Sequence, residues 1–278
     1  MVSSLSFGRE ELNIKSLGRR TDLIFADFSG VIEDRGHYTL IKTPDNPGFH
    51  WGNYIIFDRA PQPGDLKNWK TLFDREFTHY SEPHHYVFTW DTGDNDSGEY
   101  QEFLDAGFEF DSAVVLSTDQ LSAPPHPNEK ISVKKIKSDE DWEKVIHLQT
   151  LCADPKFLNL NFEEFKRSQI DQYKRMSQAG KGHWFGAFIG DQLVGDLGVF
   201  FDGKIGRYQN VGTHPDHRKQ GICGTLVYQA GQIAFDEFSV DTLVMEADPD
   251  YHAARIYESV GFSKCEINYS LSWWKTSD

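Results

Sequence analysis

Residues 218–226 read RKQGICGTL: two cations, then two glycines and a small thiol, set where the strand-like stretch YQNVGTHPDH gives way to a helical pattern. Glycines at such a junction let backbone N–H groups approach a ligand, and the helix N-terminus adds partial positive charge. The chemistry this suggests is the holding of an anion. Two common phosphate loops do not fit. A G-x-x-x-x-G-K-[ST] loop fails at Gly180-Lys181, which has Arg175 at the first glycine position and Gly182 after the lysine. A G-x-G-x-x-G fingerprint fails on the spacing of Gly221-Ile222-Cys223-Gly224. The histidines of HPDH (His214, His217) and of the pair His84, His85 lack the further ligands of a metal site and read as solvated turn residues, so no metal is expected.

The elements around this loop follow from periodicity. Residues 131–136, ISVKKI, alternate like a half-buried strand, Ser138 and Asp139 suit a helix cap before DWEKVIHLQTLC, and NFEEFKRSQIDQYKRM (161–176) has helical spacing. HWFGAFIGD and QLVGDLGVFFDG predict two strands joined by a Gly-Asp turn, and IGRYQNVGTHP a third that leads into the loop. A helix over 224–238, the strand TLVMEAD, a helix YHAARIYESVG ended by Gly261 and the strand CEINYSLSWW complete an order of β-α-α-β-β-β-α-β-α-β.

At 278 residues the chain has room for two domains, and LSAPPHPNEK, with its three prolines, reads as the linker. The boundaries expected are 1–120, a linker at 121–129, and 130–278. A 38% hydrophobic and 14% aromatic content supports real cores, and no apolar run reaches the ~20 residues that span a bilayer. A net charge of -15 argues against broad binding to nucleic acid or to anionic membranes. Cys152, Cys223 and Cys265 form no C-x-x-C pair, and the first residues, MVSSLSFGRE, show no secretory pattern. A soluble protein of a reducing cytoplasm is the expectation.

The loop and its setting resemble the GNAT superfamily of acyl-CoA-dependent N-acyltransferases. In that family's pyrophosphate motif, [RQ]-x-x-G-x-[GA], Arg218, Gly221 and Cys223 take the defined positions, with Cys223 a departure that is only slightly larger than alanine. A second family pattern, N-x-x-A-x-x-x-Y-x-x-x-G-F, falls on Asp250, Ala253, Tyr257, Gly261 and Phe262, with aspartate in place of asparagine. The two motifs stand in the family's order and the resemblance covers residues 130–278. It implies an α+β fold with a mixed, mostly antiparallel central sheet flanked by helices. It also implies transfer of an acetyl group from acetyl-CoA, a cosubstrate, to a primary amine of a small molecule or protein, directly within a ternary complex.

The resemblance further implies that the cosubstrate meets Val211, Gly212, Thr213, the run Arg218, Lys219, Gln220, Gly221, Ile222, Cys223, Gly224 and Thr225, and the helix residues Asp250, Ala253 and Tyr257. Tyr257 matches the phenol that protonates the departing thiolate; a phenol near pKa ~10 suits a thiol near ~8.5. A tyrosine merely packed in a core is the alternative. Glu246, a carboxylate in an otherwise apolar strand, is the candidate base, against an edge glutamate facing solvent or a water chain; Asp196 is second choice. The Val211 N–H is the candidate donor to the oxyanion, because the family's strand at this point splays from its neighbour. A CoA-binding sensor or regulatory module that has lost catalysis is the second functional reading.

Residues 1–120 contain no second phosphate loop but an echo of the C-terminal half. YQEFLDAGFEFDSAVVLS (100–117) parallels IYESVGFSKCEINYSLSW (256–273), with Phe103 where Tyr257 stands, and GNYIIFDRAP and NWKTLFDREF read as a strand and a helix. A tandem arrangement with a degenerate first half is expected, an unrelated α+β domain being the alternative.

Overall fold

A computed structural model describes residues 12–47, 49–78, 85–153, 162–249 and 253–275. The chain forms two compact units, 1–115 with 265–278, and 116–264. Both are α+β, with mostly antiparallel strands flanked by helices.

The second unit contains β6 (Ser132–Lys135), α4 (Asp139–Leu151), α5 (Phe162–Gln178), β7 (Gly182–Ile189), β8 (Gln192–Asp202), β9 (Ile205–Thr213), α6 (Ile222–Phe238), β10 (Thr242–Ala247) and α7 (Ala253–Ser259). Its strands lie in the order β10-β9-β8-β7-β6, all antiparallel neighbours except the parallel pair β9–β10. The sequence-based order of elements holds here. Ser138 caps α4 as expected, its Oγ accepting from Asp141 N at 3.1 Å. Side chains alternate across β8: Gly195 faces Ile222 of α6, whereas Asp196 bonds to Gln149 of α4. The sheet thus carries α6 on one face and α4 on the other.

The first unit contains α1 (Leu17–Ser29), β1 (Val31–Asp34), β2 (Tyr38–Lys42), β3 (Tyr54–Phe57), α2 (Asp65–Glu76), β4 (His85–Trp90), α3 (Gln101–Asp105), most of β5 (Glu109–Thr118) and most of β11 (Ser263–Trp274). Its core is aromatic: Phe57 stacks on Trp69 at 3.8 Å, and Phe73, Phe88, Phe103 and Phe108 are buried around them.

Two differences from the sequence boundaries have physical causes. The last strand does not close the C-terminal unit. It pairs antiparallel with β4, Ser270 opposite Thr89, and so belongs to the first unit. Residues 121–129 are no free linker either. Leu121 is buried, Ser122 N donates to Val260 O at 3.0 Å, and Asn128 N donates to Thr225 Oγ1 at 2.8 Å. The prolines keep the segment out of regular structure, yet the remaining polar groups find partners on α6 and beside α7.

The echo between the halves extends to backbone bonding. Phe108 N donates to Phe103 O at 2.9 Å, and Phe262 N to Tyr257 O at 3.2 Å, each around a glycine of positive φ, Gly107 and Gly261. Both units also hold one parallel strand pair, β3–β4 and β9–β10, with a helix beginning at a left-handed glycine between the strands, Gly64 and Gly221.

Candidate active site

Strand β9 parts from β10 at its far end while staying paired with β8. Its pairing with β10 runs from Thr242↔Ile205 to Val244↔Arg207, so Tyr208–Thr213 continue without a β10 partner. On the other side, the register with β8 pairs Gly198 with Gln209 and Asp196 with Gly212, which leaves Asn210 and Val211 out of the ladder as a bulge. Asn210 adopts φ +49° there, a region asparagine enters more readily than most residues.

The chain then turns through Pro215–His217, where His214 Nδ1 accepts from Asp216 N at 3.2 Å, and reaches Gly221, the left-handed N-cap of α6 at φ +76°. The first amides of α6 have no partners within the helix and point outward with its positive dipole end. Arg218 and Lys219 stand exposed beside them, and Arg218 Nε also donates to Thr213 O at 3.2 Å, tying the loop to the end of β9. Burial pushes the Cys223 thiol up to about 12, so this residue brings no negative charge to the helix start. The loop fits a bound pyrophosphate on these grounds.

Several residues brace the loop that its sequence does not announce. Asn128 Nδ2 donates to Gln220 O at 2.8 Å, and Thr225 Oγ1 to Gly221 O at 2.8 Å. A side chain at Gly221 would meet His126 O at 2.1 Å. One at Gly224 would stand 3.4 Å from Pro124 and 3.7 Å from Ile256 of α7, ordinary contact distances, so the second glycine, unlike Gly221, leaves room for a small side chain.

The other candidates lie on neighbouring elements. Tyr257 is buried in α7, whose Ile256 faces Gly224 together with Val260, the residue after the helix. Ala253 begins that helix, and Asp250 lies outside the described residues. Glu246 sits two residues past the last β9–β10 pair, and its Oε2 is 3.2 Å from Arg207 Nη2 in a largely buried ion pair. Among the described residues no group of three or more His, Cys, Asp or Glu could hold a metal ion. His85 Nε2 lies 3.1 Å from Asn53 O and the ring stacks on His50, a structural placement and not the solvated turn expected.

Asp196 is wholly buried. Its Oδ1 accepts from Gln149 Nε2 at 2.8 Å and its Oδ2 from Trp184 Nε1 at 3.0 Å, and burial outweighs these bonds to raise its carboxyl to about 7. An unfolded aspartate ionises near 3.9. Between those two values the folded chain keeps a proton that the unfolded chain has released, so this residue's contribution favours folding at the acid end and is lost as pH rises toward 7. At ~1.4 kcal/mol per pH unit the whole span is at most on the order of 4 kcal/mol. Urea unfolding of the wild type and of Asp196→Asn at about pH 5.5 and about pH 8 checks this: the wild type's advantage over the variant should shrink at the higher pH. A difference independent of pH would contradict it.

Comparison with known proteins agrees with this geometry. Residues 141–262 match the acetyltransferase (GNAT) family. No curated protein matches the chain by sequence. Among solved structures, a conserved protein of unknown function from Staphylococcus epidermidis superposes with a TM-score of 0.68 at 14% identity, covering 90% of this chain and 96% of that one. A GCN5-related N-acetyltransferase from Kribbella flavida gives 0.64 at 12% identity, covering 92% and 95%. A tandem GNAT protein from the clavulanic acid biosynthesis pathway gives 0.53 at 14% identity, covering 90% and 85%. At such identities the similarity is one of fold.

Proposed function

We propose, from a second unit whose residues 141–262 match the acetyltransferase (GNAT) family, that this protein moves an acetyl group from acetyl-CoA to a primary amine by direct transfer. The observation that carries the proposal is the left-handed Gly221 opening α6 beside a β9 that has parted from β10. The cosubstrate's diphosphate would meet the α6 amides between Arg218 and Thr225, and its arm would follow Val211, Gly212 and Thr213. The thioester supplies the activated acyl group.

The chain's own groups then have distinct tasks. The Val211 N–H, outside both ladders, stabilises negative charge that grows on the acyl oxygen. Glu246 takes the proton that the acceptor ammonium must lose, its carboxylate fixed at the edge of the gap by Arg207. Tyr257 protonates the departing thiolate. Asp196, buried under α4, serves the bulge instead. A panel of primary amines with thiol release as the readout tests the proposal. Binding of acetyl-CoA without release for any amine would favour the second reading, a CoA-binding sensor, which the engagement of Glu246 by Arg207 also fits.

One cosubstrate site per chain is the expected stoichiometry. At the corresponding place in the first unit, the first residue of α2, Asp65, already occupies the helix start: its Oδ2 accepts from Gln62 N at 2.7 Å, and Arg59 closes on both its oxygens at 2.5 and 2.8 Å. The Arg59 guanidinium and this backbone bond hold the carboxyl below its ordinary range despite burial. The second residue of α2 is also engaged by a carboxylate, Leu66 N donating to Glu102 Oε1 at 2.8 Å, so built-in anions already stand at this helix start. Calorimetric titration with acetyl-CoA should end at one equivalent, and a value near two would overturn the assignment. Cys152, Cys223 and Cys265 form no disulfide, which suits a reducing cytoplasm, the compartment proposed. No helix among the described residues is long and apolar enough to cross a membrane.

A further inference from the structure

Gln149 occupies a position that an apolar residue would be expected to fill. Trp142, Val145 and Ile146 make the buried stripe of α4, and Gln149 continues it at the next turn, 7% exposed. A buried primary amide is costly unless its hydrogen bonds are made. Here Nε2 makes two, one to Asp196 Oδ1 and one to the Asn210 carbonyl, each at 2.8 Å. Asp196 is held from its other side by Trp184, so the order Trp184, Asp196, Gln149, Asn210 carbonyl is a continuous line of hydrogen bonds that ends on the bulge.

That carbonyl shares a peptide plane with the Val211 N–H. In a trans peptide the two groups point in opposite directions, and no cis bond occurs among the described residues. Fixing the carbonyl toward α4 therefore turns the N–H away from α4, toward the face of the sheet on which α6 begins. The bulge is pinned at its side chains as well, Asn210 Nδ2 donating to Gln169 Oε1 at 3.1 Å and Gln209 Nε2 to Tyr173 Oη at 2.8 Å. Gly212 completes the fit, since a side chain there would meet Asp196 Oδ1 at 2.7 Å and Gln149 Nε2 at 3.1 Å.

We propose that Gln149 is a positioning residue for acyl transfer: by gripping the Asn210 carbonyl it aims the Val211 N–H at the acyl oxygen. This rests on the acyltransferase reading above. The position calls for a hydrogen-bond donor, because the two atoms it meets are both acceptors, and the amide supplies two N–H groups from one nitrogen. The charged and titratable groups that bear on this network are Asp196, Cys152, Lys166 and, through Cys152, Arg218.

Two variants test the assignment, each assayed for turnover, acetyl-CoA affinity and melting temperature. Gln149→Met keeps the length and removes both donors; kcat should fall on the order of 10–100-fold, less than outright removal of an oxyanion donor costs, with affinity for acetyl-CoA held within about threefold. Gln149→Glu keeps the shape and places two carboxyls together, so one of them takes up a proton more readily. Its deficit in kcat should narrow from about pH 8 to about pH 6, as residue 149 regains a donor. This second variant carries the test if the methionine variant does not fold. Wild-type kcat in Gln149→Met, a loss confined to acetyl-CoA affinity, or a Gln149→Glu deficit that is flat with pH would each overturn the proposal. Absence of turnover by the wild type with every amine would instead overturn the acyltransferase reading, and this proposal with it.

Discussion

Tyr257→Phe should lower kcat by about 10²–10⁴-fold while acetyl-CoA affinity stays near the wild-type value. The substitution removes one hydroxyl from a side chain that is 6% exposed and keeps the ring that packs there. The helix end should survive as well, because it depends on the backbone: the Tyr257 carbonyl accepts from Val260 N at 3.0 Å and from Phe262 N at 3.2 Å. Single-turnover assays, calorimetry and thermal melts on the same variant separate the possibilities. Lost turnover with intact binding assigns the proton to Tyr257. Lost binding, or a melting temperature lower by many degrees, makes it a core tyrosine, as Tyr208 is with its Oη donating to Val227 O at 2.7 Å. Full activity means that the thiolate leaves unassisted or takes its proton from water.

The second unit was legible because its signals are local. Strands β7 and β8 are apolar runs joined by a Gly-Asp turn, Ser138 caps α4 within three residues of its partner, and the loop and α7 each carry their chemistry in one short run. In the first unit β3, α2, α3 and β5 were readable, but α1, β1, β2 and β4 were not, because long-range contacts decide them. Helix α1 buries Arg19 and Arg20, which blurs its apolar stripe, and beside its local cap, Ser16 Oγ accepting from Arg19 N at 3.2 Å, it is capped from the far end of the chain, Leu17 N donating to Glu266 Oε1 at 2.8 Å. No local pattern announces a cap 249 residues away. The site divides the same way. Glycines and the tyrosine were readable, whereas the Arg207–Glu246 pair and the grip of Gln149 on the bulge exist only once strands and helices have met. Gln149 did leave one trace, a polar residue in register with the buried face of its helix.

Gly221→Asp should reduce acetyl-CoA affinity by on the order of 100-fold or more, since it sets a carboxylate at the helix start where the diphosphate would lie. From the sequence this looks like a change of charge alone, but the structure adds two further costs. An L residue at φ +76° is strained, and its Cβ would stand 2.1 Å from His126 O, so the 126–128 segment must shift and with it the bonds from Asn128 to Thr225 and Gln220. Loss of binding by this variant therefore has to be separated from a rearranged loop. Lys219→Glu makes that separation. Lys219 is exposed and already tolerates φ +61°, so the change reverses a charge and moves no backbone. Its effect should be smaller, roughly 3–10-fold, and should fade as salt is raised from about 0.05 M to about 0.5 M, because exposed charges are screened. The melting temperature should fall for Gly221→Asp and stay put for Lys219→Glu. If neither variant changes the affinity, the loop before α6 does not hold the cosubstrate, whatever the fold around it.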